Sequence, residues 1–263
     1  MANPVAVITG ASRGIGKQLA VDLATAGYDV VCLARSTAES PTKLPGTVDE
    51  TAEMVRAEGR RALALALNVQ VEEEVQFVAD RVYEEFGRCD VVINNAAIAV
   101  PGRTLEQPTR RWRLAVDINV NGPFYMMYYF CPRMAAAGGG SVINISSGAS
   151  VTPEFGRISY TATKRALEAL TEGMAHELRE QQIAVNCIRL ELSVWSEGYA
   201  FTLPGIDTSE FEDPVIMSDA ALWIARQPKE YTGHVVTIGE LREAGVVREK
   251  TRIADRAENA YER

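Results

Sequence analysis

Histidine is nearly missing: His176 and His234 are the only two in 263 residues. A histidine-rich metal centre is thereby excluded, and a Ser-His-Asp hydrolase would have to use one of these two. Cysteine is scarce as well. Cys32, Cys89, Cys131 and Cys187 lie far apart, with no CxxC spacing. Three of them sit in apolar runs (VVCLAR, YYFCP, VNCIR) and read as buried free thiols, which fits a reducing, cytoplasmic setting. No run approaches the roughly 18 consecutive apolar residues of a membrane span, so none is expected. The opening MANPVAVITG has no basic stretch followed by a long apolar one, so a secretory signal is not expected either. Positive charge is in deficit, with Lys+Arg 27 against Asp+Glu 35 and a net charge of −8. An acidic surface works against nucleic acid or an anionic membrane as the main partner, while a local basic spot can still hold a phosphate. Hydrophobic residues, at 47%, and charged residues, at 24%, are present in globular rather than disordered proportion. A chain of this length buries a core without needing a disulfide or a metal.

Short β-branched runs alternate with helical periodicity. The pattern predicts strands at 5–9, 29–34, 62–67, 91–93, 141–145, 183–188 and 235–238. Helices are predicted at 15–26, 47–58, 71–86, 109–135, 160–181 and 215–226. Such alternation points to right-handed βαβ units and an α/β fold. The expected architecture is a doubly wound parallel sheet in three layers, one domain over residues 1–263. Two segments read as irregular, 36–46 and 190–213. The second carries Trp195, Tyr199 and Phe201 and follows a strand's carboxyl end, where open α/β sheets bind ligands. It is either a substrate loop or a surface loop whose aromatics pack on the core.

Thr9-Gly10-Ala11-Ser12-Arg13-Gly14-Ile15-Gly16 lies between the first predicted strand and the first predicted helix. One glycine permits the tight turn, one lets backbone approach a pyrophosphate, and one lets the helix pack close to the sheet. The helix N-terminus then offers free N–H groups and partial positive charge to the phosphates. A glycine triplet alone is weak evidence, and a plain turn with no ligand competes with it; the strand–turn–helix context is what a dinucleotide motif requires. Charge then bears on the cofactor. An NAD site places an acid at the end of the second strand to hold the ribose 2′-OH. Here that strand ends Leu33-Ala34-Arg35-Ser36, with no acid. Arg13 and Arg35 suit a 2′-phosphate through bidentate contacts, so NADP(H) is expected over NAD(H).

Further along stand Asn94-Asn95-Ala96-Ala97 after the fourth strand and Asn119 within Asp117-Ile118-Asn119-Val120-Asn121-Gly122. Ser146-Ser147 follows the fifth strand, and Tyr160-Thr161-Ala162-Thr163-Lys164 opens the next helix. With the glycine loop, and in this order, these motifs make the chain resemble the short-chain dehydrogenase/reductase family over nearly its whole length. The insertion at 41–47 and the stretch 227–245 are similar to its hydroxysteroid dehydrogenase-like subgroup. A lipid-transfer domain carried by some members of that subgroup is not expected in a chain that stops at Arg263. The resemblance implies a Rossmann-type sheet and a catalytic set of Asn119, Ser147, Tyr160 and Lys164. It implies a cofactor site made by Gly10, Ser12, Arg13, Gly14, Ile15, Gly16, Arg35, Asn68, Val69, Asn95, Ala96 and Ala97, with Tyr160 and Lys164 also touching the cofactor. It implies no metal, a small-molecule alcohol or carbonyl substrate, and a homodimer or homotetramer formed through the long helices at 109–135 and 160–181. The aromatic run from Phe124 to Phe130 fits such an interface or a buried helix.

Tyr160 and Lys164 are four apart and so share a helix face. A free tyrosine titrates near pH ~10, too high for efficient proton transfer near neutrality. Bringing it down by about 2–3 pH units takes roughly 3–4 kcal/mol. An ammonium ~4 Å away supplies about 4 kcal/mol at an effective dielectric near 20, so one lysine suffices. By the resemblance, Tyr160 exchanges a proton with the substrate oxygen, Lys164 also holds the nicotinamide ribose, and Asn119 holds a water that relays protons. Ser147, thirteen residues before Tyr160, has the family's spacing for the serine that polarises the carbonyl; Ser146 is the competing assignment. No G-x-S-x-G elbow surrounds the pair, which argues against an acyl-transfer nucleophile. Glu154, Phe155 and Arg157 are candidates for the substrate pocket, and Glu72-Glu73-Glu74 reads as a solvated first helical turn.

The chain departs from the family pattern in places. Ala97 replaces the last Gly of NNAG, and Asn68 stands where an Asp usually meets the adenine edge. Leu190-Glu191 replaces a Pro-Gly after the sixth strand, and Trp195 falls where a Thr often holds the carboxamide. Ile238-Gly239-Glu240 replaces an Asp-Gly-Gly. The reading is an NADP(H)-dependent oxidoreductase that interconverts a secondary alcohol and a ketone, or an aldehyde and a primary alcohol, on a lipid-like or steroid-like substrate. The alternative is a nucleotide-binding sensor or interaction module with little turnover, motivated by the altered loop.

Overall fold

The computed structural model describes residues 2–202, 205 and 207–249. Its strands are the Val-, Ile-, Leu- and Ala-rich runs, now β1 (Val5–Thr9), β2 (Asp29–Ala34), β3 (Ala62–Ala66), β4 (Val91–Asn94), β5 (Gly140–Ser147), β6 (Ile183–Leu190) and β7 (Val235–Thr237). All six pairings are parallel, in the order β3-β2-β1-β4-β5-β6-β7. Strands in such a sheet are covered on both faces, which is why they read as continuous apolar runs rather than alternating ones. Every residue of β1 and β4 is buried.

The helices form the two outer layers. They are α1 (Gly14–Thr25), α2 (Val48–Ala57), α3 (Glu72–Phe86), α4 (Thr109–Val116), α5 (Gly122–Ala136), α6 (Ile158–Leu178), α7 (Glu197–Thr202), α8 (Val215–Ala225) and α9 (Ile238–Glu243). Leu19, Leu23, Val55, Ile216 and Ile224 carry α1, α2 and α8 onto one face of the sheet. Val75, Val78, Met126, Phe130 and Met134 carry α3 and α5 onto the other, where Leu170 and Ala175 of α6 join them. The aromatic run of α5 is divided between the two environments. Met126, Met127 and Phe130 are buried, while Phe124 and Tyr128 are exposed. All four cysteines are buried free thiols, and burial pushes Cys32, Cys131 and Cys187 up to about 12.

Three elements differ from the sequence pattern. The helix predicted over 109–135 is interrupted by a π turn, Asp117–Asn121. The wide turn sits where the Asn119 side chain engages both backbone groups of Ile98. The segment 190–213 is not irregular throughout. It contains α7, a bridge between Val194 and Glu212, and an edge-on contact of Tyr199 with Phe211. Ile238, predicted as strand, opens α9, because Thr237 and Glu240 form a reciprocal capping box. Of the segment expected to run to Arg263, residues 250–263 lie outside the described residues. Among the described residues, no helix is long and apolar enough to cross a membrane.

Phe130 is fully buried between α3 and α5, with its ring 6.4 Å from that of Tyr83. Phe130→Ala is expected to lower unfolding free energy by about 3–5 kcal/mol in urea denaturation, leaving the far-UV spectrum of the folded form unchanged.

Candidate active site

The strand order reverses between β1 and β4, and the carboxyl ends of these strands diverge into a crevice. The crevice is part of a cleft of about 1010 Å³. Its lining runs from Arg35 and Asn68 at one end, past the glycine loop, to Ser147, Tyr160, Lys164 and Tyr199 at the other. Every residue expected in the cofactor site lines it, as do three of the four catalytic candidates; Asn119 lies behind its wall.

The glycine loop is shaped to leave backbone bare. Gly10 has φ +70, and a Cβ on Gly16 would fall 2.2 Å from the Gly10 carbonyl oxygen. A side chain at Gly16 would therefore fill the place where the loop closes on its own helix. Asn95 holds the loop from the β4 side: its amide donates to the carbonyls of Thr9 (2.9 Å) and Gly10 (3.3 Å). Thr9 Oγ1 in turn accepts from the backbone N–H groups of Asn95 and Ala96, both at 3.0 Å. These bonds join β1 to β4 at the point where the crevice opens.

The two arginines have different surroundings. Arg13 binds the insertion after β2. Its Nε donates to the Pro45 carbonyl at 2.7 Å, and its Nη2 to Thr42 Oγ1, Leu44 O and Gly46 O at 2.9–3.0 Å. Burial, opposed by Glu197 and aided by the nearby Arg35, lowers its pKa. Arg35 is exposed at the end of β2, with no hydrogen-bond or ion-pair partner among the described residues. Asn68 presents its carbonyl to the Gln70 amide (2.9 Å), and Glu74 reaches back to its N–H (2.7 Å). The Asn68 side-chain N–H₂ is the part left for the cleft. Val69 is packed against Gly122 so closely that a Cβ there would meet it at 2.9 Å.

At the opposite end, α6 presents Tyr160 and Lys164 from successive turns. Lys164 is 3% exposed; its Nζ donates to the Ile145 carbonyl at 2.6 Å and lies 5.5 Å from the Tyr160 ring centroid. Arg157 lies over the same ring at 5.4 Å and pairs with Glu154 at 2.6 Å. The two serines are dissimilar. Ser146 is buried and donates its hydroxyl to Glu168 at 2.8 Å. Ser147 is half-buried, and its Oγ accepts the Ala149 N–H at 3.3 Å, which leaves its own O–H for the cleft. Asn119 donates to Thr163 Oγ1 at 3.0 Å, and Thr163 donates to the Tyr160 carbonyl at 3.0 Å.

Glu168 and Glu197 at this site were not singled out by the sequence pattern, and Glu191 was named there only as a departure from Pro-Gly. Glu168, one turn past Lys164, accepts from Ser146, Ser150 and Arg189. Burial opposes its ionisation, but these donors outweigh it and hold its pKa below the ordinary carboxylate value. Its spacing of four from Lys164 was the available signal. Glu191 accepts from Ile238 N–H (3.1 Å) and Gly239 N–H (2.5 Å), so the two departures after β6 and β7 meet in space. Glu197, at the start of α7, accepts from Gly14 N–H at 2.8 Å and Lys17 Nζ at 2.9 Å. Burial opposes its ionisation too, and the Lys17 and Gly14 bonds hold its pKa below the ordinary value. A contact spanning 183 residues leaves no local trace in sequence.

His176 is exposed on α6, sixteen residues from Tyr160, or ~24 Å along the helix axis. His234 stacks on Tyr231 at 4.0 Å, and its backbone N–H donates to Asn186. Neither serves the serines as a base.

A family model described as short chain dehydrogenase matches residues 4–192. The chain is 31% identical over 242 residues to hydroxysteroid dehydrogenase-like protein 2 of Bos taurus, covering 91% of this chain and 57% of that relative. It thus spans about half the length of the first curated relatives it matches. It is 34% identical over 244 residues to an uncharacterized NAD-dependent oxidoreductase of Mycobacterium tuberculosis (strain CDC 1551 / Oshkosh), with coverage of 84% and 88%. Among solved structures it is similar to a metagenomic short-chain oxidoreductase in complex with NADP. The TM-score is 0.74 at 29% identity, covering 89% of this chain and 96% of the other.

Proposed function

The chain belongs to the short-chain dehydrogenase/reductase family, and on that premise we propose that it is an NADP(H)-dependent oxidoreductase interconverting an alcohol and a carbonyl compound. The observation that carries the reading is one cleft lined at one end by the glycine loop and at the other by Tyr160 and Lys164. When bound, the dinucleotide supplies or accepts the hydride. The residues present suit it: Gly16 lets the loop close on α1, where a Cβ would strike the Gly10 carbonyl, and Gly10 and Gly14 carry no side chain to shield the cleft from the α1 N-terminus. Gly10, Ser12, Gly14, Ile15 and Gly16 would hold the pyrophosphate, and Asn95, Ala96 and Ala97 the wall beyond it. Arg35, without a competing partner, is the group for the 2′-phosphate. Arg13 supports it by fixing the 42–46 loop, and its Nη1 remains for the same anion.

In the reducing direction Tyr160 donates its phenolic proton to the substrate oxygen, and in oxidation it takes that proton back. Ser147 donates its O–H to the same oxygen, and so stabilises the charge that develops there. The Lys164 ammonium stabilises the phenolate left on Tyr160, and Asn119 and Thr163 fix the start of α6. Val151, Phe155, Ile158 and Phe201 are exposed on the segments that flank the substrate end. An apolar rim of this kind favours a lipid-like or steroid-like substrate over a small polar one. The metagenomic relative in complex with NADP agrees with the cofactor proposed; the mycobacterial relative, named NAD-dependent, is the contrary case.

A second reading, a dinucleotide-binding module with little turnover, is favoured by one observation. Glu197 takes the Gly14 N–H, and a Cβ on Gly14 would meet Ser196 Cβ at 2.8 Å, so the α7 segment sits on the glycine loop.

Assay of the protein against apolar ketones and alcohols, followed by the absorbance of reduced nicotinamide, is expected to show turnover that Tyr160→Phe lowers by at least about 100-fold while dinucleotide affinity is retained. Tight binding without turnover across the panel would favour the module. Arg35→Ala is expected to weaken NADP(H) by about 10-fold and leave NAD(H) nearly unchanged in calorimetric titration, since one charge-assisted contact is lost. Equal losses for both would remove the 2′-phosphate role. Glu197→Gln is expected to tighten either dinucleotide by about 3- to 10-fold, because a neutral amide competes less well for Gly14 N–H and no longer repels the pyrophosphate. Unchanged affinity would show that the carboxylate and the phosphates use different donors.

A further inference from the structure

We propose that Glu168 is a positioning residue for Ser147, acting through Ser146 before it and Ser150 at the end of the 3-10 turn that Ser147 caps. The inference rests on the reading of Ser147 as the donor to the substrate oxygen.

Residues 160, 164 and 168 are spaced by four, so Tyr160, Lys164 and Glu168 follow one another along one face of α6. That face meets the end of β5. Lys164 reaches the carbonyl of Ile145, and Glu168 reaches the hydroxyls of Ser146 (2.8 Å) and Ser150 (2.6 Å) through the same oxygen, Oε1. Ser147 lies inside this bracket. It caps the turn Gly148–Ser150 by accepting the Ala149 N–H, and it keeps its own proton for the cleft. Fixing Ser146 on one side and Ser150 on the other fixes the turn, and with it the direction of the Ser147 hydroxyl relative to Tyr160.

A carboxylate is suited to this work and costly to bury. Glu168 is 3% exposed and needs a counter-charge. Arg189 supplies it bidentately, Nε to Oε1 at 3.0 Å and Nη2 to Oε2 at 2.9 Å; Arg165 adds a longer contact at 3.6 Å from the exposed side. Arg189 is paired in register with Ser146 across β5 and β6. The network therefore spans α6, β5, the 3-10 turn and β6. Arg189 is followed at once by Leu190-Glu191, where the family pattern has the restricted Pro-Gly.

The test compares Glu168→Ala, Glu168→Gln and Ser147→Ala, alone and with Ser147→Ala combined with each. Hydrogen exchange reads position without activity. In Glu168→Ala, the amides of Ala149, Val151 and Thr152 are expected to exchange about 10- to 100-fold faster, while β1 amides hold their rates. In turnover of an apolar ketone, kcat is expected to fall by about 10- to 100-fold with dinucleotide affinity within about threefold. Glu168→Gln, whose amide oxygen still accepts from a serine, recovers part of that loss. In the Ser147→Ala background, Glu168→Ala adds no more than about twofold, because its effect passes through Ser147. Should Glu168→Ala fold poorly with Arg189 left unpaired, Glu168→Leu with Arg189→Leu removes both charges and the acceptor together and must show the same exchange pattern. Unchanged exchange at 149–152, or effects that multiply in the double variant, would overturn the proposal. Absence of turnover in the unsubstituted protein would sink the redox reading instead, and exchange alone would then decide whether Glu168 fixes the turn.

Discussion

A buried ammonium needs oxygen partners, and Lys164 finds the first of them at the end of β5. It carries three N–H donors and no acceptor. The Ile145 carbonyl takes one donor at 2.6 Å, and the other two are left for the cleft that Lys164 lines. The bond is also a structural tie. It binds the first turns of α6 to the last residues of β5, the two elements that carry Tyr160 and Ser147. Because burial penalises the charged form, the ammonium is held only where such oxygens converge. The alignment of helix with strand, the orientation of the tyrosine and the chemistry of the cleft thus share one constraint.

The departures from the family pattern are arranged as mutual replacements. Loss of Pro-Gly after β6 removes a restricted φ and a bare backbone. Glu191 stands in the second position, and its carboxylate accepts the first free N–H groups of α9, at Ile238 and Gly239. An anion at a helix N-terminus satisfies donors that have no partner within the helix. Gly239 accommodates the approach, since a Cβ there would meet Glu191 Oε1 at 3.0 Å. The altered segment after β7 and the altered segment after β6 are therefore one contact, and the strand end is held by charge rather than by a ring.

Much of this was legible in the residues because the signals were local. Strands covered on both faces must be apolar throughout, so Val5–Thr9 and Asp29–Ala34 announce themselves. Tyr160 and Lys164 are related by helical periodicity, and the glycines by the turn they permit. What escaped was either short or distant. The α9 helix has only six residues, and the branched side chains around 235–238 masked its capping box, Thr237 with Glu240. The π turn at Asp117–Asn121 interrupts an otherwise continuous helical pattern, because tertiary contacts of Asn119 override it. Glu197 reaches the glycine loop from the far end of the chain, through a contact that only the folded sheet creates.

That last contact links the two halves of the cleft. Glu197 opens α7, whose Tyr199 lines the cleft along with Tyr160, yet its carboxylate uses a donor of the glycine loop. An anion that used the same Gly14 N–H and Lys17 ammonium would compete with the Glu197 carboxylate. The bridge between Val194 and Glu212, with the Arg242 pair to Glu212, anchors the segment. Tyr199 and Phe211, in edge-on contact, keep the loop's aromatics together. The segment that carries Glu197 is thus tied at its base by backbone, charge and ring contacts, and its carboxylate meets the glycine loop from that base.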